Sequence, residues 1–308
     1  MAQADAAPPA RQTAKGASLD IRAILMGLIF ALMWSSAFTS ARMIVVDAPP
    51  LTALALRFLL SGALGVGLAL MLGQTWRLSR GQWRSTIIFG LMQNAAYLGL
   101  NFMAMQRVGA SVAAIIASTM PLMVALAGWA VFRDRLRPLA VLGLIAGFGG
   151  VLLIMGARLQ GGVDPVGLAL CIGGAIALTI ATLSVRGASG GAGNLLMVVG
   201  LQMLVGAAAT GVAALMFEPW HVTWSPRLVG AFLYTTLVPG LLATWVWFAL
   251  VARIGAIKAA TFHFLNPFFG VVIAWALLGE RIGFYDVLGV AIIAAGILAV
   301  QLSRQAPR

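Results

Sequence analysis

Polar side chains interrupt a long apolar stretch near the C-terminus, TFHFLNPFFGVVIAWALLGERI at residues 261–282. Burying a polar group, or removing a backbone N–H with proline, costs free energy unless a partner compensates. His263, Asn266 and Pro267 are spaced i, i+3 and i+4, which places them on one face of a helix. An imidazole, an amide and the His263 carbonyl, which Pro267 deprives of its usual donor, would form a polar notch for a small ligand. Alternatively, Pro267 only bends the helix and both side chains bond to neighbouring helices.

A second polar group, Asn94, Tyr97 and Asn101, is spaced i, i+3 and i+7 along another apolar run. Polar side chains on one face of a membrane helix need an interior partner or water. We expect Asn94 and Tyr97 to line a cavity, with hydrogen bonds to a neighbouring helix as the alternative. Asn101 lies closer to the end of its run. Trp34 stands in the middle of an apolar run, where it would either stack on a ligand or pack in the core.

Two basic residues, Arg57 and Lys258, lie inside or beside apolar runs. Arg57 is six residues into its run, roughly 9 Å deep at 1.5 Å per residue. Long basic side chains near the end of a span snorkel to the membrane surface. Snorkelling is therefore the favoured interpretation for both residues, and binding of a ligand carboxylate is the alternative.

The elements that must position these residues are membrane-spanning helices. The chain has 308 residues, of which 61% are hydrophobic and 9% charged, whereas a soluble protein carries about 25% charged residues. Apolar runs of bilayer-spanning length recur, and backbone in lipid must be helical. The sequence predicts an all-α integral membrane protein with ten transmembrane helices, at residues 23–44, 51–72, 85–106, 109–132, 138–157, 165–185, 194–217, 228–250, 256–278 and 285–303.

The net charge of +12 reports topology rather than nucleic-acid binding. With a cytoplasmic N-terminus, the outward side holds only Arg42, Arg107, Arg158, Arg227 and Arg281, with Arg57 set aside inside a span. The inward side holds Arg11, Lys15, Arg22, Arg77, Arg80, Arg84, Arg133, Arg135, Arg137, Arg186, Arg253, Lys258, Arg304 and Arg308. This asymmetry follows the positive-inside rule and predicts that both termini are cytoplasmic. The polar tail, residues 1–22, is expected to be disordered rather than a signal peptide.

An internal repeat organises the chain. Residues 107–158 align with residues 253–304 without a gap, at a fixed offset that pairs prolines, tryptophans, arginines and glycines. The repeat predicts two units, 23–158 and 165–304, each with five spans. An odd number of spans inverts the second unit relative to the first, an arrangement typical of secondary transporters. Pro121 and Pro267 are repeat partners, so we expect them to act as kinks or gating elements.

The motifs LMWSSAF and LRFLLSG, and a pattern P…W…[D/E]R…LG that occurs twice, resemble EamA-type members of the drug/metabolite transporter superfamily. The resemblance covers residues 23–303. It implies a ten-helix inverted-repeat carrier that moves small metabolites, often amino acids or their relatives and often outward. It also implies, in part, a substrate cavity lined by spans one, three, four, six, eight and nine.

The expected function is export of a small metabolite across the cytoplasmic (inner) membrane by alternating access. A flippase for lipids or lipid-linked sugars would use the same fold and is the alternative. His263 and Asn266 are the favoured substrate residues, because their repeat partners, Ala117 and Met120, cannot take the same role. The expected partners are therefore a small-molecule substrate and the lipid bilayer, with no nucleic acid. Glycine-rich faces in spans five and ten are expected to pack helices, or to support a homodimer.

No enzyme chemistry is expected. His221 and His263 are isolated, and the chain has neither an H-E-x-x-H helix nor a pair of intramembrane aspartates. We therefore predict no catalytic residues, no metal site and no cofactor. Acidic residues are confined to tails, loops and span ends, which leaves His263 as the one deep group expected to titrate near neutral pH. Transport would be facilitated or exchange-like, or any proton coupling would run through His263.

Overall fold

The computed structural model describes residues 20–160, 162–184 and 194–305, which form helices and no strands. Ten of the helices are long and apolar enough to cross a membrane, which confirms the predicted all-α membrane architecture. They are α1 (Ile21–Asp47), α2 (Pro50–Met71), α3 (Arg80–Ala104), α4 (Ala110–Phe132), α5 (Pro138–Gln160), α6 (Pro165–Ser184), α7 (Leu195–Phe217), α8 (Pro226–Val251), α9 (Lys258–Leu278) and α10 (Phe284–Gln305). Most of the predicted tail, and the basic residues Arg11, Lys15, Arg186 and Arg308, lie outside the described residues.

Local capping signals set where several helices begin. The Asp20 side chain accepts a hydrogen bond from the Ala23 N–H at the start of α1. Ser79 and Gln82 form a capping box at the start of α3, which satisfies two backbone N–H groups that have no partner within the helix. The ends of α4 and α9 are also alike: Arg133 and Gly279 are repeat partners, and both have left-handed backbone conformations, with φ of 57° and 67°.

Four helices are irregular, and they form two equivalent pairs in the repeat. α3 and α8 each contain a π-helical stretch, Gly90–Leu98 and Thr236–Leu242 respectively. α4 and α9 each break just before a proline: Thr119 separates two helical segments in α4, and a 3₁₀ turn, Phe262–Leu265, interrupts α9. π-helical stretches occur frequently at functional sites, so these four helices are the natural places to look for one.

The break in α9 differs from the predicted polar notch. Pro267 was expected to leave the His263 carbonyl without a donor. Instead, the 3₁₀ turn brings the Asn266 N–H to that carbonyl. The 3₁₀ hydrogen bond therefore replaces the one that Pro267 cannot donate, and the His263 carbonyl is not a free acceptor.

Glycines bring two pairs of helices into close contact. A Cβ built on Gly200 of α7 would lie 2.7 Å from the Val66 nitrogen of α2, and one built on Gly143 of α5 would lie 2.7 Å from the Gly296 oxygen of α10. Only glycine permits such an approach of two backbones. The glycine faces of α5 and α10 are therefore occupied within the chain, as scaffold.

The core lies around the first segment of α4. All nine residues of Ala110–Ser118 are buried, most of them small, so that neighbouring helices approach closely. Large apolar side chains such as Leu142, Ile145 and Leu152 of α5 face outward, as expected for a helix surface in contact with lipid.

Polar contacts close the end of the bundle at which α1 ends. The Glu280 carboxylate accepts hydrogen bonds from the N–H groups of Ala110 and Ser111 at the start of α4. Arg158 pairs with Asp286 at 3.0 Å and donates to the Ser111 hydroxyl. These contacts hold together the ends of α4, α5 and α10 beside the short α9–α10 connection.

Candidate functional site

A cavity of about 90 Å³ lies among α1, α2, α3, α7 and α8. Its apolar wall is aromatic and comprises Trp34, Phe38, Phe58 and Phe102. Its polar lining comprises Arg57, Gln93, Asn94, Tyr97, Asn101 and Thr244. Few, well-placed polar groups in a mainly apolar wall are typical of small-molecule sites. The π-helical stretches of α3 and α8 both contribute to the lining.

The polar stripe of α3 faces this cavity. The Asn94 Nδ2 donates to the Gln202 carbonyl of α7 at 2.9 Å, and the Asn101 Nδ2 donates to the Tyr97 carbonyl at 2.9 Å. The Asn94 side chain lines the cavity and also joins two helices, and its part in substrate binding stays a prediction. Asn101 lies deeper than its position in the sequence suggested: it is 1% exposed, and its Oδ1 has no hydrogen-bond partner.

Arg57 lines the same cavity and does not snorkel. The residue is 8% exposed, and its Nε is buried without a hydrogen-bond partner. Its guanidinium carbon lies 5.6 Å from the ring centroid of Phe58. A Cβ added to Gly240, which also lines the cavity, would lie 3.6 Å from Arg57 Nη2. The favoured sequence interpretation was therefore wrong for Arg57, because depth counted along the helix axis ignores which way the side chain faces.

Lys258 lies elsewhere. Its side chain is exposed at the first turn of α9, and its carbonyl accepts a hydrogen bond from the Thr261 hydroxyl. This position agrees with snorkelling, and Lys258 is not part of the cavity lining. At the same end of the bundle Arg253 pairs with Asp20 at 2.7 Å, and the hydrogen bond from Arg253 lowers the pKa of the Asp20 carboxyl.

His263 and Asn266 form a separate cluster behind Trp34. The His263 ring lies 5.4 Å from Phe30, 6.2 Å from Trp34 and 5.2 Å from Trp247, measured between ring centroids. Asn266 Nδ2 lies 2.9 Å from His263 Nδ1, so that with this amide orientation Nδ1 accepts the bond and the ring proton sits on Nε2. We call Phe30, Trp34, Trp247, His263 and Asn266 the histidine cluster.

The polar residues predicted for substrate binding thus fall into two groups that Trp34 joins. Asn94, Tyr97 and Trp34 line the cavity, together with Arg57. His263 and Asn266 do not belong to the cavity lining, and Ser35 donates a hydrogen bond to the Asn266 carbonyl at 3.3 Å. The helices that line this cavity also differ from the predicted lining spans. Among the described residues, α4, α6 and α9 contribute no side chain to this cavity, whereas α2 and α7 do.

Pro121 and Pro267 each lie in the first turn of the second segment of their helix. Neither touches the cavity. In α4 the Thr119 N–H bonds to the Ile116 carbonyl, the i to i−3 pattern of a 3₁₀ turn, and the Leu122 N–H returns to the Thr119 carbonyl. The two prolines therefore lie at the helix breaks beside the site, and their role as kinks or gating elements stays a prediction.

Several lining residues were not singled out from the sequence. Phe58, Phe102 and Met203 are apolar, and nothing in their spacing distinguishes them from core residues. Gln93 and Thr244 were visible as polar groups in spans, although their direction was not. No cluster of three or more potential metal ligands occurs in the part of the chain that the structure describes.

Comparison with known proteins gives a consistent relationship over most of the chain. The EamA-like transporter family model matches it twice, over residues 21–156 and 165–302. The uncharacterized transporter YvbV of Bacillus subtilis is 23% identical over 288 residues, 93% of this chain and 94% of that protein. The uncharacterized inner membrane transporter YedA of Escherichia coli K12 is 27% identical over 286 residues, 91% of each chain.

The fold recurs in a solved structure. A crystal structure of another protein superposes on this chain with a TM-score of 0.67, over 92% of this chain and 98% of that one. At 22% sequence identity this likeness concerns the fold alone.

Proposed function

Because the chain belongs to the EamA-like transporter family, we propose that it exports a small metabolite, an amino acid or a related compound, across the cytoplasmic membrane by alternating access. The observation that supports this proposal best is the cavity beside the π-helical stretches of α3 and α8. It joins helices from both units of the repeat and combines one cation, several amides and hydroxyls, and an aromatic wall. Such a lining suits a small amphipathic solute.

Alternating access is supported by the pairing of irregular helices. α3 and α8 carry π-helical stretches, and α4 and α9 carry breaks before a proline. Helices interrupted at equivalent places in two repeats are typical of carriers in which one unit rocks against the other around a fixed site. We propose that the second unit is inverted and that both termini are cytoplasmic, as the distribution of basic residues indicates.

A lipid flippase is the second candidate, and one observation favours it. An apolar groove of about 660 Å³ lies among α4, α5 and α6, lined by residues such as Leu126, Phe148 and Ile176. An acyl chain would fit there. The groove shares no lining residue with the cavity, however, so an acyl chain in the groove and a headgroup in the cavity would not occupy one site. The metabolite carrier is therefore the better supported of the two.

The function is tested by the metabolites that leave cells. We expect overexpression to raise the external concentration of one class of small metabolite and to lower its internal pool, compared with cells that express Ala37→Trp, a variant with a filled cavity. Mass spectrometry of medium and cell extract measures both. The purified protein in proteoliposomes should then show saturable flux of the same compound. Movement of lipid headgroups between leaflets without such flux would favour the flippase.

His263 provides a test of the coupling mechanism. It is the one histidine in the described spans, surrounded by aromatic rings and bonded to Asn266. Where an imposed pH gradient drives transport, we expect His263→Ala to remove that response while exchange of labelled for unlabelled substrate continues. His221→Ala, in an exposed loop, is the matched control. A gradient response that persists in His263→Ala would mean that protons follow another route.

A further inference from the structure

We propose that Arg57 binds the carboxylate of the transported molecule, so that the substrate is a monoanion or zwitterion whose apolar part lies against Phe38, Phe58 and Phe102. The inference rests on the proposed transport function and names the substrate class of the same site. It depends on one observation: the guanidinium lines a cavity inside a membrane protein, and no residue that the structure describes supplies a counter-ion.

The first step is the missing partner. A guanidinium carries five N–H donors and is always charged. In the structure, Arg57 makes neither a hydrogen bond nor an ion pair with any described residue, and its Nε is buried without an acceptor. A charge inside a membrane protein is costly unless it is paired or reaches water, and such residues commonly mark substrate pathways. The attraction of the Phe58 ring at 5.6 Å is only a weak compensation.

The second step is the sign and size of the ligand charge. Among the described residues that line the cavity, Arg57 is the single basic residue and none is acidic. One negative charge would therefore neutralise the site, whereas a doubly charged phosphate would leave an excess. A carboxylate also matches the planar fork of the guanidinium, with which it forms two parallel hydrogen bonds.

The third step is the remainder of the ligand. Beside Arg57 the cavity wall is formed by the rings of Phe38, Phe58 and Phe102, which favour an apolar or aromatic group. Asn101, in the same lining, has an Oδ1 without a hydrogen-bond partner. That atom is an acceptor, which an ammonium or hydroxyl group of the substrate would satisfy. A small acid with an apolar side group therefore suits the lining.

The experiment compares wild type with Arg57→Gln, Arg57→Lys and the matched control Arg227→Gln, whose side chain is exposed at the start of α8. Proteoliposomes are loaded with L-leucine, isovalerate and their amides, L-leucinamide and isovaleramide, together with a broader mixture of small acids, amines and sugars. Mass spectrometry measures the release of each compound. Relative to protein-free liposomes, which set the passive leak of permeant compounds such as isovaleramide, we expect wild type and Arg227→Gln to speed the release of carboxylates and not that of amides, amines or sugars. We expect Arg57→Gln to lower release roughly 10- to 100-fold, the loss typical of a hydrogen bond to a charged group, and Arg57→Lys to lower it less.

Release of neutral or cationic compounds by wild type above this passive leak, or unchanged release of carboxylates by Arg57→Gln, would overturn the inference and leave the transport function intact. Absence of any release by wild type above the leak would instead count against the proposed function. In that case the melting temperature of the purified protein without ligand tests whether the Arg57 guanidinium has a structural partner. Apart from the weak contact with the Phe58 ring, a guanidinium that awaits an external anion has no internal partner to lose, so Arg57→Gln should melt at the same temperature as wild type or higher. A clear decrease in Tm would show that the charge has a structural partner and would overturn the proposal.

Discussion

Leucine in place of Gly143 should almost eliminate folded protein, whereas leucine at Gly149 of the same helix should leave the yield unchanged. At Gly143 even a Cβ would lie 2.7 Å from the Gly296 oxygen and 3.0 Å from the Ala299 Cβ of α10. The clash is with backbone, so α5 and α10 must separate along their length. We expect a destabilisation of about 3 kcal/mol or more, at the upper end of measured overpacking effects.

Gly149 is the matched control because a Cβ there meets no atom within 4 Å. Its leucine would face lipid, where it is favourable. Size-exclusion chromatography of a fluorescent fusion measures the yield of monodisperse protein, and a melting curve gives Tm. Equal yields for Gly143→Leu and Gly149→Leu would mean that α5 and α10 do not cross as closely as described.

The repeat made this part of the fold predictable. Two segments of one chain share the spacing of their glycines and prolines when both pack against their neighbours in the same way. Gly143 and Gly289 pair in the sequence, and both lie at the contact between α5 and α10. Trp129 and Trp275 also pair, and both side chains are half exposed on the bundle surface. Span positions were predictable for a simpler reason: bilayer thickness fixes helix length, and the largest error at a span start was α3, which begins at Arg80 rather than residue 85.

The site was less predictable because it depends on directions and on helix irregularities. The spacing of Asn94 and Tyr97 correctly indicated one face, yet only the packing of α7 against α3 determines that the face borders a cavity. Arg57 was placed at the surface by counting residues, whereas its side chain turns inward beside Phe58. No local pattern in the sequence reports the π-helical stretches of α3 and α8, because they depend on how neighbouring helices pack.

The sequence analysis favoured, as substrate residues, those that differ between the two repeat units, and this criterion does not identify the site alone. It selected His263 and Asn266, which the structure brings together at 2.9 Å. Their position behind Trp34 suggests that they support that ring or carry protons, rather than contact the solute first. Arg57 is likewise unshared: the segment ALRFLLSG at residues 55–62 aligns more weakly with GLQMLVG at residues 200–206, which places Gln202 at the position of Arg57. Arg57 and the pair His263 and Asn266 therefore all differ from their repeat partners. A transport experiment is needed to show which of them binds the substrate.

Ala37→Trp should distinguish the cavity that Arg57 lines from the histidine cluster. We expect this variant to reduce transport to the level of protein-free liposomes. Ala37 lies on α1 in the cavity lining, one helical turn from Trp34 and Ala41. An indole at this position would fill a space of about 90 Å³ between Arg57 and the aromatic wall. The fold should survive, because the added ring enters an existing cavity instead of a packed contact.

Leu32→Trp is the matched control on the same helix, since Leu32 is 45% exposed on its outer surface. Flux of the identified substrate into proteoliposomes, normalised to reconstituted protein, measures the effect. His263→Ala should reduce this flux far less than Ala37→Trp, because Ala37 lines the cavity and the imidazole does not. The opposite order, with normal flux in Ala37→Trp and none in His263→Ala, would move the substrate site from the cavity to the histidine cluster. Trp34 would then line a substrate site at the histidine cluster, and the unpaired charge of Arg57 would have another cause.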